Sequence, residues 1–119
     1  MPQSTDLNAA VERLAGRLRS LPQRRLQAGA AAEALELARW LVRQAQLLEF
    51  PGCEPRELPD DGVFVVGDQL ALAGHELSGA LTAAGAPADG AGSGGGRERA
   101  AAVLAEAGER VVRTARAVG

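Results

Sequence analysis

The sequence predicts an all-α protein: an antiparallel four-helix bundle with one long central helix and a glycine-rich linker before the last helix. Three observations lead to this prediction. Apolar residues recur at helical spacing in four separate segments. A strand-like composition is confined to residues 63–66. The chain has 119 residues, enough for one domain and too few for two, so we expect a single helical domain over residues 1–119.

The first helix is expected from Asp6 to about Ser20. Ser4, Thr5 and Asp6 can accept hydrogen bonds from the free amides of its first turn. Its apolar residues recur at spacings of four and three, which places them on one face. These residues are Leu7, Val11, Leu14, Leu18 and Leu21.

The second helix is expected to begin at Pro22, which is tolerated in a first helical turn. Ser20 and Gln23 have the spacing of a capping box across this boundary. No proline follows before Glu49, and Gly29 is the one weak helix former, so we expect a continuous helix of about 40 Å at the centre of the fold. Its apolar face comprises Leu26, Ala30, Ala34, Leu37, Leu41, Ala45 and Leu48, with Leu47 beside it and Trp40 as a buried core anchor.

Residues 50–62 are rich in proline, glycine and acidic side chains and therefore predict a loop. The β-branched and aromatic residues 63–66 favour a strand, but the chain offers no partner strand. We expect a third helix from Gly67 at the latest to about Ala84, with residues 63–66 as its first turns. Its inner face comprises Val63, Val66, Leu70, Ala73, Leu77 and Leu81.

The third helix is apolar on a second side as well, because Phe64, Val65 and Leu72 point away from its inner face. A helix that is apolar on two sides is either buried on both or meets a partner. Asp68 and His75 share this second side and would form its polar rim. The five residues are therefore a candidate interface, with a homodimer or another helical protein as the expected partner.

The glycine-rich stretch 85–96 contains no large apolar side chain, so it predicts a flexible linker. The final helix is expected from Arg97 to Val118. Its apolar face comprises Leu104, Ala107, Val111, Ala115 and Val118.

The arginines of the first two helices form a candidate anion or nucleic-acid patch: Arg13, Arg17, Arg24 and Arg25. All 13 basic residues of the chain are arginine, but the net charge is −2 and no aromatic residues are interleaved with the patch. A nucleic-acid-associated regulator is therefore an alternative function rather than the leading one.

Evidence for catalysis is weak in the sequence. His75 is the one histidine and lies seven residues after Asp68, about 10 Å along a helix, too far for a direct hydrogen bond. A ligand-binding or enzymatic helical domain using Asp68 and His75 is the second alternative. Cys53 has no second cysteine, and the glycine run 90–96 lacks the Gly-Lys-Ser/Thr ending of a phosphate-binding loop. We expect no cofactor, no metal and no enzymatic activity.

The leading hypothesis is a non-enzymatic protein–protein interaction module, an adaptor, assembly or regulatory protein, that self-associates through residues 63–84. The absence of lysine and isoleucine and the abundance of alanine and glycine indicate a GC-rich, bacterial genome. No apolar run is long enough for a membrane span, and a cytoplasmic location is expected.

Overall fold

The computed structural model describes residues 4–85 and 94–119, and within these ranges the chain forms four helices and no strand. Helix α1 spans Ser4–Ser20. Helix α2 spans 23–49 in three parts: a short turn Gln23–Arg25, a wide π-helical turn Leu26–Ala30 and the α-helix Ala31–Glu49. Helix α3 spans Val66–Gly85, and helix α4 spans Gly94–Val118. The four helices pack against one another around a shared core of leucine, valine and alanine side chains.

The boundary between α1 and α2 contains no capping box, so that prediction is wrong. The Ser20 hydroxyl donates back to the carbonyls of Gly16 and Arg17, at 3.3 and 3.0 Å, and thereby closes the last turn of α1. Such back-bonding turns the hydroxyl towards the carbonyls of its own helix rather than towards the free amides of the next one. Pro22 stands at the start of α2 without a side-chain cap.

The second helix is kinked rather than continuous. Gly29 has φ 142° and ψ −20°, a backbone conformation outside the helical region. Glycine adopts positive φ at little cost because it lacks a Cβ, and a helix that meets such a residue bends. The predicted 40 Å helix is therefore interrupted, and its regular part is Ala31–Glu49.

The third helix begins at Val66, within the expected limit. Residues 63–65 form a turn, closed by a 3.2 Å hydrogen bond from the Val65 amide to the Gly62 carbonyl. Residues 63–65 are therefore neither a strand nor the first helical turn. The inner face agrees with the prediction: Val63 is half-buried and the other members, Val66, Leu70, Ala73, Leu77 and Leu81, are buried.

The loop between α2 and α3 runs back along α2 towards its start. The Arg56 amide donates to the side-chain oxygen of Gln46, at 2.7 Å, near the end of α2. Two residues later, the Leu58 carbonyl accepts a 2.9 Å hydrogen bond from the guanidinium of Arg39, in the middle of α2. The loop therefore returns the chain to the end of the molecule at which α2 begins.

Helices α2 and α3 consequently run in the same direction. Leu26 and Val66, near the starts of the two helices, line the same small cavity. Arg56, held beside the end of α2, lies 4.0 Å from the carboxylate of Glu76 in the second half of α3. The antiparallel order expected for consecutive helices does not hold for this pair, because the loop is long enough to retrace the length of α2.

Helices α1 and α4 run in the direction opposite to α2 and α3. The Ser4 and Thr82 hydroxyls hydrogen-bond at 2.6 Å, joining the start of α1 to the end of α3. Arg19 and Asp68 join the opposite ends of the same two helices. Arg25, near the start of α2, donates a 2.9 Å hydrogen bond to the carbonyl of the last residue of α4. Two helices therefore run in each direction.

The central helix is α3 rather than the predicted α2. Helix α3 packs extensively against both α1 and α2, whereas α1 and α2 scarcely meet. The reason is the return of the loop, which places α3 between the two earlier helices. The largest fully buried side chains are Leu14, Leu18, Leu41, Leu70, Leu77 and Val11.

Most of the predicted linker, residues 86–93, lies outside the described part of the chain. At its two ends the described residues are helical, since Gly85 belongs to α3 and residues 94–96 belong to α4. Over the described ranges, no helix combines the length and the apolar character required to cross a membrane.

Candidate interaction surface

The second side of α3 is exposed to solvent. Phe64 is 71% exposed, Leu72 is 65% exposed and Val65 is 39% exposed. Two residues away from Leu72, Leu70 is fully buried in the core. The expected orientation of these three apolar residues is therefore confirmed. We call the surface formed by Phe64, Val65, Asp68, Leu72 and His75 the outer face of α3; its role as an interface stays a prediction.

The polar residues of the outer face do not form a catalytic pair. The carboxylate of Asp68 accepts hydrogen bonds of 3.0 and 2.8 Å from Nε and Nη2 of Arg19, which joins α3 to α1. His75 is exposed and lies two helical turns from Asp68. Nowhere in the described ranges do three or more histidine, cysteine, aspartate or glutamate side chains converge in an arrangement able to hold a metal ion.

The outer face extends further along α3 than the sequence indicated. Gly79 and Ala83 are exposed on the same side, and a Cβ placed on Gly79 would have open space around it. Leu72 and Gly79 are seven residues apart, which keeps them on one side of the helix, and Val65 stands seven residues before Leu72 in the turn that leads into it. The seven-residue spacing could have indicated that Gly79 belongs to this face. It was missed because a glycine does not count as an apolar residue in a periodic pattern.

A network of small hydroxyl residues fixes the end of α3 against α1. The Ser78 hydroxyl donates to the Ser4 carbonyl at 2.9 Å, and the Thr82 hydroxyl donates to the Ser78 carbonyl at 2.9 Å. Beside this network lies a shallow, mainly apolar groove of about 480 Å³, whose lining includes Asn8 and His75. The outer face is therefore carried by a rigid helix with an open flank on the α1 side.

The arginines of the candidate nucleic-acid patch are exposed, but they occupy two different elements. Arg13 and Arg17 lie on α1, and Arg24 and Arg25 lie in the first turn of α2. The guanidinium of Arg25 donates to the carbonyl at the end of α4, so part of its hydrogen-bonding capacity serves the fold. Binding of nucleic acid by these residues stays a prediction.

Trp40 is half-buried: it packs against the edge of the core but is not the fully buried anchor that the sequence predicted. The guanidinium of Arg110 stacks over the indole, with Cζ 4.5 Å from the ring centroid. Arg110 is held in place by Glu106, whose carboxylate lies 2.7 Å from Nε. The ring faces a charged cleft of about 250 Å³ between α2 and α4. The sequence placed Trp40 at the edge of the apolar face of α2. The neighbouring helix α4 presents arginines there, so the ring is only partly covered.

Removal of the stacked guanidinium should expose the indole. We expect Arg110→Ala to shift the tryptophan emission to the red, to increase its quenching by iodide and to lower the free energy of unfolding by about 0.5–1 kcal/mol. The matched control is Arg113→Ala, which removes a neighbouring cleft arginine but leaves the stacked pair intact. Equal spectra for the two variants would contradict the stacking.

Other exposed apolar side chains lie apart from the outer face. Phe50 is 58% exposed in the loop after α2, and Val112 is 51% exposed on α4, where it lines a groove of about 590 Å³. Cys53 is exposed in the loop. None of these residues belongs to α3.

No protein-family model, curated protein or solved structure matches this chain.

Proposed function

We propose that the protein is a non-enzymatic protein–protein interaction module, of an adaptor, assembly or regulatory kind, that forms a homodimer through the outer face of α3. One observation carries the proposal. Helix α3 buries its inner-face residues from Val66 to Leu81 in the chain's own core, yet Leu72 on the helix and Phe64 in the turn directly before it are exposed to solvent. Contiguous exposed apolar surface on a single chain often marks a protein–protein contact.

The gain from covering this face is substantial. Full burial of a leucine or phenylalanine side chain contributes about 1.5–3 kcal/mol relative to its exposed state. In a symmetric dimer both copies bury each residue of the face, so this gain is counted once for each copy. A contact centred on a single helix from each copy is nevertheless small among protein interfaces, so we expect a dissociation constant in the micromolar range.

A second copy of the chain is the occupant that the charges favour. The outer face carries one carboxylate, Asp68, and one imidazole, His75, on either side of Leu72. A surface with an acidic and a basic group on opposite sides of its centre can complement itself under two-fold symmetry. Phe64 and Val65 supply apolar area beyond the polar groups.

Sedimentation of the full chain tests the proposal. We expect a dimer at high micromolar concentration and a rise of at least about tenfold in the dissociation constant for Leu72→Glu, because each copy would bring an unpaired carboxylate into an apolar contact. Leu72 is exposed in the single chain, so its replacement should change the free energy of unfolding by less than about 0.5 kcal/mol.

Val112→Glu is the matched control, since it introduces the same charge at an exposed apolar residue of another helix. This variant should dimerise like the wild type. A wild type that remains monomeric would refute homodimerisation. A dimer that is dissociated by Val112→Glu and not by Leu72→Glu would assign the contact to α4 instead.

A further inference from the structure

We infer that the two copies of α3 pair in antiparallel orientation about a two-fold axis beside Leu72, so that Asp68 of each copy faces His75 of the other. The inference rests on the proposed self-association and adds its geometry. Asp68 precedes Leu72 by four residues and His75 follows it by three. When two antiparallel helices place Asp68 of one copy opposite His75 of the other, the two Leu72 residues meet at the centre. They are then offset by one residue along the helix axis.

The charges distinguish this arrangement from a parallel one. In a parallel two-fold pair each residue lies level with its own copy, so Asp68 lies level with Asp68 and about two helical turns from the partner's imidazole. The antiparallel pair instead makes two symmetric contacts between a carboxylate and an imidazole. Arg19 binds one oxygen of Asp68, Oδ1, from within the chain, and the other oxygen can accept from the imidazole.

The shapes of the two ends of the face agree with the same register. Phe64 lies in the turn directly before α3, eight residues ahead of Leu72, and Gly79 follows Leu72 by seven, so the antiparallel pair brings the turn that carries Phe64 towards Gly79 of the other copy. Gly79 presents no side chain, and the space above its Cα is open. The exposed ring of Phe64 therefore faces a residue of the other copy that leaves room for it.

The two flanks of α3 are also consistent with this pairing. A two-fold axis perpendicular to two antiparallel helices brings the same flank of each copy together. Asp68 lies on the α1 flank, where it is bound to Arg19, and His75 lies on that flank beside Asn8 of α1. Glu76 lies on the other flank, near Arg56, and stays away from the partner's Asp68.

Disulfide trapping tests the register directly. The background is Cys53→Ser, which removes the one native thiol. Phe64→Cys and Gly79→Cys are prepared separately in the full chain, and each is oxidised alone and as an equal mixture. In the antiparallel register two copies of Gly79 are about 22 Å apart along the helix axis. A disulfide requires Cα atoms within about 7 Å, so only a mixed pair can form one.

We expect a disulfide-linked dimer in the mixture and none with either variant alone. The mixed dimer retains one Phe64 over one Gly79, so it can still assemble. Cross-linking of Gly79→Cys with itself would show parallel pairing and overturn the inference, as would the absence of any cross-link in a dimer that Leu72→Glu dissociates. A monomeric wild type at high micromolar concentration would instead refute the proposed function.

Discussion

Leu70→Ala should lower the free energy of unfolding by about 2–5 kcal/mol, whereas Leu72→Ala should lower it by less than about 0.5 kcal/mol. The two leucines are two residues apart on α3. Leu70 has no exposed surface, and Leu72 is 65% exposed. Truncation of Leu70 removes apolar contacts and leaves a cavity between α3 and its neighbours, while truncation of Leu72 removes atoms that water already surrounds.

Urea denaturation followed by circular dichroism provides the measurement. The protein should be dilute enough to be monomeric, because Leu72 also belongs to the proposed dimer contact. The m-value, the slope of the unfolding free energy against urea concentration, should be the same for both variants. An unchanged m-value means that the variants differ in stability and not in the surface exposed on unfolding. Equal losses for the two leucines would contradict the assignment of an inner and an outer side to α3.

The sequence was sufficient for the helices because their apolar residues keep a helical spacing. In α3 the spacing from Val66 through Leu70 to Leu77 defines the inner face, and the structure buries all three. The same periodicity places Phe64 and Leu72 on the other side. A face is therefore predictable from local sequence, because side-chain direction follows from position along the helix.

The order and direction of the helices depended on contacts that no local pattern contains. The loop after α2 could have led to an antiparallel neighbour. It returns along α2 instead, with Leu58 accepting a hydrogen bond from Arg39 and Arg56 donating one to Gln46. The residues of the first pair are 19 positions apart and those of the second are 10 apart. Neither separation belongs to the repeat of a helix or a strand, so a search for periodic patterns does not predict these contacts.

Within the candidate site, the sequence indicated which side chains share a face but not how open that face is. Gly79 and Gly74 are both glycines of α3, five residues apart, and composition treats them alike. A Cβ on Gly79 would have free space around it, whereas one on Gly74 would collide with Val11 of α1. The difference arises from the neighbouring helix, and only the packed structure reveals it.

The close approach of α1 and α3 depends on Gly74. A Cβ at this position would lie 2.6 Å from Cγ1 of Val11 and 2.8 Å from its Cβ. These atoms belong to a fully buried, stiff β-branched side chain, which cannot move aside. The glycine lowers the helix propensity of α3, and in exchange the two helices pack at a separation that a larger residue would prevent.

Gly74→Ala should therefore lower the free energy of unfolding by about 1–3 kcal/mol, although alanine is the better helix former. Gly16→Ala is the matched control: it makes the same change in α1, where a Cβ meets open space, and should raise stability by about 0.5–1 kcal/mol. Val11→Ala removes the two methyl groups and keeps only the Cβ of the three close atoms, so the double variant with Gly74→Ala should lose less stability than the sum of the single losses, by about 0.5–3 kcal/mol. Urea denaturation of the four proteins measures this coupling. Additive losses would mean that Gly74 and Val11 are not in contact, and a stabilised Gly74→Ala would mean that α1 and α3 lie further apart than the structure places them.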